Sequence, residues 1–270
     1  MRSERTGWRF ALVLVLAWTV LIYLLVPIFI AAPISLNPDR YLLMPRGEFS
    51  LRHYATLFTS PQWLSAIWQS IVIGVSATII AVVSGSLAAV GIWRLASRMG
   101  ETLRAVILLP MIVPSIVSGL AFFRIFADLG LLDTMPGVIL AHAVLAAPYV
   151  VITVSTSLAG FDLRLEQASR NLGASMRQTI RLVILPNIMP GVLSGALLAF
   201  ATSFDEIVVV LFMASPAQHT LPRQIFSGIR ENTDPSVAAA GVVLVLLSAL
   251  LMVAVEWLRR RSLRLQGRKD

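Results

Sequence analysis

The sequence predicts an all-α membrane protein with six transmembrane helices, cytoplasmic N- and C-termini, and short cytoplasmic helices between spans 4 and 5. Three observations lead to this fold class. The chain is 57% hydrophobic and only 13% charged, with a mean hydropathy of +0.82. Soluble domains carry about 25% charged residues, so this composition excludes a water-soluble fold. In addition, six apolar runs are long enough to cross a bilayer, and basic residues concentrate in alternate connecting segments.

Each predicted span is an apolar run of sufficient length. A bilayer core about 30 Å thick requires about 20 apolar residues in helical conformation. The runs that meet this requirement are Phe10–Ala32, Leu64–Ile92, Ala105–Ala127, Met135–Leu158, Met189–Met213 and Val237–Leu258. The first run follows three arginines, as in a secretory signal peptide. Its apolar core is longer than the roughly 7–15 residues of such a peptide, so we interpret it as an uncleaved anchor.

The distribution of basic residues orients the spans, because cytoplasmic segments are enriched in Lys and Arg. One set of alternate segments contains most of the 22 basic residues: Arg2, Arg5, Arg9, Arg94, Arg98, Arg104, Arg164, Arg170, Arg177, Arg181, Arg259, Arg260, Arg261, Arg264, Arg268 and Lys269. The opposite side contains Arg40, Arg46, Arg52, Arg223 and Arg230, with Arg124 near the outer end of the third span. Both termini are therefore predicted to be cytoplasmic.

The chain shows no separate soluble domain, and we predict a single transmembrane domain over residues 1–270. Its core covers residues 64–258, and its main cytoplasmic loop covers 159–188. The longest outer loop, Pro33–Trp63, is interrupted by prolines and has room for a short surface helix around Leu51–Phe58. The net charge of +8 is explained by cytoplasmic loops that face anionic lipid headgroups. We therefore predict the lipid bilayer as a partner, and no nucleic acid.

An enzymatic function is not indicated. The chain has no cysteine, which excludes disulfides, thiolate metal sites and cysteine nucleophiles. The metalloprotease motif HExxH and the hydrolase motif GxSxG are also absent. His53 and His219 are far apart in outer loops, and His142 in the fourth span is interpreted as a hydrogen-bonded interior residue. We predict no catalytic residue and no metal site.

The segment Leu165–Ile184 has the pattern of a pair of amphipathic helices. Ala168, Leu172, Met176 and Ile180 recur every four positions, while the arginines fall off that stripe. Gly173 interrupts the stripe, which favours a helix–turn–helix with the glycine at the turn. Helices lying passively at the membrane interface would give the same periodicity, so both interpretations remain open on this pattern alone.

At these residues the chain resembles the permease subunits of binding-protein-dependent ABC importers. Their EAA loop has Glu-Ala-Ala, three residues, Gly, nine residues and then Ile-x-Leu-Pro. With Gly173 as the fixed point, the Glu-Ala-Ala triplet corresponds to Gln167, Ala168 and Ser169, with Glu166 one place earlier. The second part of the motif corresponds to Val183, Leu185 and Pro186. The spacing is kept, but a glutamine replaces the family's glutamate, which puts one polar contact in question.

The resemblance extends over nearly the whole chain, which is similar in pattern to the spermidine/putrescine-type permeases. It is carried by LLPMIVPSIVSG in the third span, AAPYVVITVS in the fourth, SFDEIVVVLF in the fifth and TLPRQIFSGIRENTDPSVAAAG before the sixth. The resemblance implies a bacterial inner-membrane protein that forms half of a translocation path for a small, cationic solute such as a polyamine. Its implied partners are an ABC ATPase dimer, a second and non-identical permease, and an exported solute-binding protein.

The same resemblance implies that the loop forms coupling helices that dock on a separate ATPase. This chain has no Walker A motif, which requires Gly-x-x-x-x-Gly-Lys-Ser/Thr, and its single lysine is Lys269. ATP and Mg²⁺ are thus expected on the partner ATPase, and no cofactor is expected on this chain.

Polar and helix-breaking residues inside the spans are candidates for the translocation path. Asp205 and Glu206 lie within the fifth apolar run, where a charged residue costs about 2.5–3.5 kcal/mol and usually faces the bundle interior or an aqueous path. Either they line the path for a cation, or one of them is protonated or paired with a neighbouring helix. Pro110 and Pro114 in the third span are expected to kink the helix and shape the path, or else to serve packing alone.

A rival hypothesis is an ion-coupled secondary transporter in which Asp205 and Glu206 carry the coupling ion. That hypothesis assigns no purpose to the loop around Gly173.

Overall fold

The computed structural model describes residues 8–39, 43–45, 47–215, 220–231 and 236–265. Within these ranges every regular element is helical, and the helices are α1 (Trp8–Ser35), α2 (Arg52–Thr59), α3 (Pro61–Leu95), α4 (Arg98–Ile112), α5 (Ser115–Asp128), α6 (Met135–Ala159), α7 (Leu163–Asn171), α8 (Met176–Thr179), a π-helical turn (Ile180–Ile184), α9 (Leu185–Asp205), α10 (Val208–Met213), α11 (Leu221–Glu231) and α12 (Ser236–Leu265). The predicted basic residues Arg2, Arg5, Arg40, Arg46, Arg268 and Lys269, as well as His219, lie outside the described residues.

The helices correspond closely to the predicted spans. Five of them are long and apolar enough to cross a membrane, and a bent pair of helices makes a sixth candidate. The all-helical, multi-span prediction is therefore confirmed, and so is the short helix predicted around Leu51–Phe58, which is α2. The cytoplasmic location of the termini stays a prediction.

The predicted third span, Ala105–Ala127, is not one continuous helix. It is divided between α4 and α5, whose axes differ by 107°. Val113 and Pro114 form the corner with extended ψ angles of 129° and 137°. The proline ring disfavours helical conformation at the residue before it. Pro114 therefore ends one helix and begins the next, where the sequence predicted only a kink.

The chain divides into two compact units. One comprises Met1–Ser60 and Ser227–Leu247, and the other comprises Pro61–Phe226 and Ser248–Asp270. In the first unit, hydrogen bonds fix the chain after α1: the hydroxyls of Ser35 and Tyr54 are 2.8 Å apart, and the N–H of Ser50 donates to the carbonyl of Leu36 at 2.8 Å. The prediction of a single domain over residues 1–270 stays a prediction.

The core of the second unit is formed by α3, α6 and α9. Small and β-branched residues fill it, including Ala81, Ala146, Val150, Val154, Ile188 and Ala199. Small side chains allow membrane helices to approach closely. A Cβ on Gly195 would lie 2.5 Å from Oγ1 of Thr153 and 3.0 Å from Cα of Val150. Only glycine therefore fits at this α6–α9 contact.

A second apolar cluster joins α5 and α10 to α3 and α6. Its buried members include Ile73, Phe126, Val138, Val209 and Met213. The short α10, which follows the end of α9, is thus held by apolar burial, although its six residues would form no stable helix by themselves.

Candidate functional site

The first candidate region is the connection between α6 and α9, which we call the elbow and define as residues 163–184. Its first helix, α7, begins after Asp162, whose carboxylate accepts a hydrogen bond from the backbone N–H of Arg164 at 2.9 Å. An acidic N-cap satisfies a free N–H group and interacts favourably with the helix dipole. The local sequence therefore determines where α7 begins.

The turn that ends α7 is built around Gly173, whose φ is +85°. The N–H of Gly173 donates to the carbonyl of Arg170 at 2.9 Å, and the N–H of Ala174 donates to the carbonyl of Ser169 at 3.2 Å. This pair of bonds is a Schellman motif, in which glycine adopts the left-handed conformation without strain. Nothing lies within 4 Å of the position that a Cβ would occupy. The requirement for glycine at this turn is therefore conformational and not steric.

The second elbow helix, α8, is short and is capped by its own residues. Ser175 accepts a hydrogen bond from the N–H of Gln178 at 3.3 Å, and the Gln178 side chain accepts one from the N–H of Ser175 at 2.8 Å. This is a capping box. The hydroxyls of Ser169 and Thr179 are 2.9 Å apart, and Thr179 is fully buried. This hydroxyl pair joins α7 to α8.

A π-helical turn over Ile180–Ile184 connects α8 to α9. The N–H of Leu185 donates to the carbonyl of Ile180, five residues earlier. Pro186 follows directly, and it has no N–H to donate and its ring clashes with the carbonyl four residues before it. This accounts for the change of register at the end of the EAA-like motif. Val183 is half-buried there, while Leu185 and Pro186 are exposed.

The elbow exposes apolar side chains at its tip. Leu172 is 88% exposed, and Ala168 and Met176 on the same predicted stripe are exposed as well. Gln167, at the position of the family's glutamate, is also exposed. Burying one such leucine side chain would contribute about 1.5–3 kcal/mol. Contiguous exposed apolar patches mark contacts with a protein partner or with a membrane.

Glu166, in contrast, contacts a residue of the same chain. Its Oε1 accepts a hydrogen bond from Nη2 of Arg94 at 3.2 Å. The guanidinium group of Arg94 lies 5.5 Å from the ring centroid of Trp93, and Trp93 packs edge-on against Phe161 with centroids 5.9 Å apart. From the sequence, Arg94 is predicted only to be one of the cytoplasmic basic residues that orient the spans. A separation of 72 residues offers no signal of this pairing.

The second candidate region is the interruption of the predicted fifth span, which we call the break and define as residues 205–207. Helix α9 ends at Asp205, the backbone of Glu206 is extended with a ψ of 121°, and α10 begins at Val208. The Glu206 carboxylate accepts a hydrogen bond from the N–H of Val209 at 3.0 Å. The predicted span Met189–Met213 is therefore two helices, and one of its acidic residues caps the second.

A cavity of about 480 Å³ lies beside the break, and both Asp205 and Glu206 line it. The hydroxyl-bearing residues Tyr149, Thr202 and Ser248 contribute to its wall, and Leu197, Leu251 and Met252 contribute apolar surface. Asp205 is exposed and Glu206 is half-buried. Carboxylates form charge-assisted hydrogen bonds with ammonium groups, and the apolar wall would contact a hydrocarbon chain. The cavity thus has the chemistry to bind an organic cation.

The other predicted pathway residues lie elsewhere. Pro110 is inside α4, and Pro114 is the N-cap of α5. Among the residues that the structure describes, neither lines the cavity at the break. Their role in the path stays a prediction. His142 is a hydrogen-bonded interior residue, as predicted: it is 1% exposed, and its Nδ1 is 2.9 Å from the hydroxyl of Ser203 near the end of α9.

At the far end of α10, polar contacts fix the chain. The N–H of Ser215 donates to Oδ1 of Asp133 at 2.7 Å, and the N–H of Asp133 donates to the carbonyl of Met213 at 2.9 Å. Nη1 of Arg223 donates to the carbonyls of Ala214 and Ser215 at 2.7 and 2.8 Å. The hydrogen bonds from Ser215 hold the pKa of Asp133 below its ordinary value, and the positive charge of Arg223 acts in the same direction.

In the described part of the chain, no three histidine or carboxylate side chains are grouped closely enough to hold a metal ion.

Comparison with known proteins identifies the family. Residues 81–264 match the sequence model of the protein family described as "binding-protein-dependent transport system inner membrane component". The chain belongs to this family. Its members are ABC-importer permeases, which are non-catalytic membrane subunits, and this permease is accordingly a multi-pass membrane protein. Family membership does not favour the ion-coupled secondary transporter.

Individual relatives agree with this assignment. The spermidine/putrescine transport system permease protein PotC of Haemophilus influenzae is 33% identical over 240 residues, which cover 89% of this chain and 93% of the relative. A probable molybdenum ABC transporter permease protein of Haloferax volcanii is 32% identical over 260 residues, covering 91% of this chain and 89% of the relative. Two relatives with similar sequence identity to this chain are thus named for different solutes.

The fold is shared with solved ABC transporters. A bacterial alginate ABC transporter, solved with its pentasaccharide-bound periplasmic protein, matches with a TM-score of 0.72 at 16% identity. The match covers 97% of this chain and 96% of that chain. At this identity the likeness shows the fold alone.

Proposed function

We propose that this permease forms half of the translocation path of a bacterial inner-membrane importer for a small organic cation of the polyamine class, such as spermidine or putrescine. ATP and Mg²⁺ are bound by a separate ATPase dimer, an exported binding protein delivers the solute, and a second, non-identical permease completes the path. Neither a cofactor nor nucleic acid is bound by this chain.

The exposed tip of the elbow is the observation that carries the ATPase part of the proposal. Helices α7 and α8 are capped at their starts by Asp162 and Ser175, and the left-handed turn at Gly173 joins them. These caps and the turn satisfy backbone groups that would otherwise be free at the ends of α7 and α8. The apolar tip of the elbow at Leu172 is left for a partner to cover.

A charge at the tip tests this docking. We expect Leu172→Asp to reduce co-purification of the ATPase about tenfold or more, since about 1.5–3 kcal/mol of apolar burial would be lost. Leu51→Asp is the matched control, because Leu51 is another exposed leucine, 68% exposed, on the predicted outer side. If Leu172→Asp retained the ATPase as well as the control does, the elbow would lie on lipid and not on an ATPase.

The cytoplasmic location of the elbow is open to a direct test. The chain has no native cysteine, so single cysteines report on their own positions. We expect Ala168→Cys to react with a membrane-impermeant maleimide only after the inner membrane is opened. Phe49 is 71% exposed in the predicted outer loop. Phe49→Cys should therefore react in cells in which only the outer membrane has been permeabilised and the inner membrane is intact. The reverse pattern would overturn the proposed orientation.

The lining of the cavity at the break supports the proposal that the solute is a cation. Two adjacent carboxylates repel anions, and three hydroxyls and several apolar side chains complete a wall suited to an aliphatic amine. The name of the PotC relative points to the same solute class. The decisive experiment is ATP-dependent uptake in proteoliposomes that contain this permease, its partner permease, the ATPase and the binding protein. Spermidine or putrescine should accumulate, whereas accumulation of an anionic solute alone would refute the polyamine assignment.

A further inference from the structure

The ion pair between Arg94 and Glu166 joins two parts of the chain that meet only through the tertiary fold. Arg94 is in the last turn of α3, and Glu166 is in the first turn of α7. The Nη2–Oε1 distance is 3.2 Å, and the two side chains are 27% and 13% exposed. Fully exposed ion pairs contribute little to stability. This pair is mostly shielded from solvent, where removal of one partner leaves the other charge poorly compensated.

Packing around the pair keeps Arg94 in place. Its guanidinium group is stacked near the face of Trp93, a favourable cation–π geometry. The edge of Trp93 meets Phe161, which lies just before the elbow, and both aromatic rings pack against the α3–α6–α9 core. The end of α3 therefore contacts the elbow through the ion pair and the residue Phe161 just before the elbow through an aromatic pair.

The acidic residue of the elbow is consequently not at the surface that a partner would meet. The position of the family's glutamate is taken by Gln167, which is exposed and uncharged. Glu166, one residue earlier, is used within the chain. The side chains of consecutive helical residues differ by about 100° in direction. Glu166 therefore cannot make the contact that a residue at position 167 would make.

Helix α3 extends from this ion pair to a contact with α9 near the break. It has 35 residues and is about 52 Å long at the standard helical rise. The ring of Phe200 lies against Gly74 of α3, and it is stacked on Phe204 with centroids 5.4 Å apart. Phe204 directly precedes Asp205 at the break. Packed side chains thus connect α3 to Phe204, the residue directly before the cavity carboxylate Asp205.

The same helix also reaches the segment after α10. The hydroxyl of Ser70, which is buried, accepts a hydrogen bond from the N–H of Leu221 at 2.7 Å. Leu221 begins α11, whose Arg223 holds the carbonyls that follow α10. Both ends of α10 are thus linked to α3.

We propose that Glu166 is a positioning residue: through Arg94 it fastens α7 to α3, so that movement of the elbow is passed to the cavity and to the segment after α10. The proposal rests on the proposed function, because it presumes that an ATPase moves the elbow. It assigns the contact with the ATPase to the exposed tip and assigns Glu166 to transmission inside the permease.

The test separates docking from transmission in the reconstituted complex. For the wild type, Glu166→Gln, Arg94→Gln, Arg94→Lys and the double variant Arg94→Gln/Glu166→Gln, we would measure ATPase co-purification and solute transported per ATP hydrolysed. We expect both single neutral variants to bind the ATPase normally but to transport about tenfold less solute per ATP, within the 5–150-fold range of typical coupling. Arg94→Lys, which keeps the charge, should retain most of the transport.

The double variant decides whether the two residues act as a pair. If they do, removing both charges should cost no more than removing one, because coupled residues are not additive. Glu101→Gln is the matched control, since Glu101 is an exposed acidic residue in the first turn of α4, and it should behave as the wild type. If a single variant failed to reach the membrane, recovery of the membrane level in the double variant would support the pair, and no recovery would overturn it.

Three further results would overturn the proposal. Wild-type transport per ATP in Glu166→Gln would show that the pair transmits nothing. Loss of the ATPase from Glu166→Gln but not from Arg94→Gln would place Glu166 in the docking contact. Multiplied losses in the double variant would show that the residues act independently. A failure of the proposed function would appear differently, as a wild-type permease that neither binds an ATPase nor supports ATP-dependent uptake.

Discussion

The elbow and the break are interruptions of regular helix at opposite ends of α9, and they are stabilised in different ways. In the elbow, residues close in sequence satisfy the free backbone groups: Asp162, Ser175 with Gln178, and the turn at Gly173. At the break, Glu206 caps α10 locally, but the cavity beside it needs side chains from α6 and α12 as well. The ends of the elbow helices are capped locally, whereas the cavity at the break forms only where three helices meet.

This difference agrees with the separate roles proposed for the two regions. The elbow exposes its tip, as the proposed contact with an ATPase requires. The break brings two carboxylates to the wall of one cavity, as the proposed binding of an organic cation requires. We therefore expect variants at the break to lower solute uptake without loss of the ATPase, and variants at the elbow to lower ATPase binding or coupled transport.

The largest expected effect is at the break. We predict that Asp205→Asn will lower uptake of a polyamine about 100-fold, because a charge-assisted hydrogen bond contributes about 1.5–3 kcal/mol. ATPase co-purification should be unchanged, since the elbow is untouched. Asp128→Asn is the control, as Asp128 is an exposed carboxylate paired with Arg124. Normal uptake kinetics in Asp205→Asn would show that this carboxylate does not recognise the solute, and the break would then have no role distinct from that of the elbow.

The next effect is at the elbow turn. We predict that Gly173→Val will reduce ATPase co-purification or coupled transport about tenfold, since a left-handed φ costs a non-glycine residue about 1–2 kcal/mol and more for a β-branched one. Gly173→Asn should be tolerated, because asparagine enters this conformation more readily. Solute delivery by the binding protein should not change. Equal behaviour of the valine and asparagine variants would show that the φ of +85° is not required.

A smaller effect is expected from the capping box. Ser175→Ala removes the acceptor for the N–H of Gln178, at a cost of about 1 kcal/mol for a helix N-cap. We expect roughly a fivefold loss of coupled transport, with Ser175→Asp, which restores an acceptor, close to the wild type. If alanine and aspartate were equivalent, α8 would be held by its contacts with α7 alone.

The smallest effect lies outside both regions, at the chain segment after α10. The hydrogen bonds from Ser215 lower the pKa of Asp133, so the charged form is stabilised by folding. That stabilisation is present above the unfolded pKa of about 3.9 and is lost as the pH falls through the lower folded value. We predict that the protection factors of the amides at residues 213–215, which are corrected for the intrinsic pH dependence of exchange, stay constant from pH 8 to pH 5 and fall only below about pH 4.

Asp133→Asn is the control for that measurement, because it cannot titrate. Its exchange rates, corrected for intrinsic pH dependence, should not change over the same range. An increase near neutral pH in the wild type would assign the transition to another group.

Local patterns were sufficient for much of the fold. Long apolar runs predicted the spans, and the spacing of Ala168 and Leu172 around Gly173 predicted a helix pair with the glycine at its turn. Proline signals were less informative. Pro114 predicted a kink, yet the chain turns by 107° there, because the angle depends on how α4 and α5 pack against other helices.

What the sequence alone determined about this protein is its membrane character, the positions of its helices and the elbow with its turn, since hydrophobic length, capping and a left-handed glycine act over a few residues. Only the tertiary structure decided that Glu166 meets Arg94 and that Asp205 and Glu206 share a cavity with Tyr149 and Ser248. These contacts join residues from separate helices. Their geometry depends on how side-chain volumes pack between helices, which hydropathy and spacing do not encode.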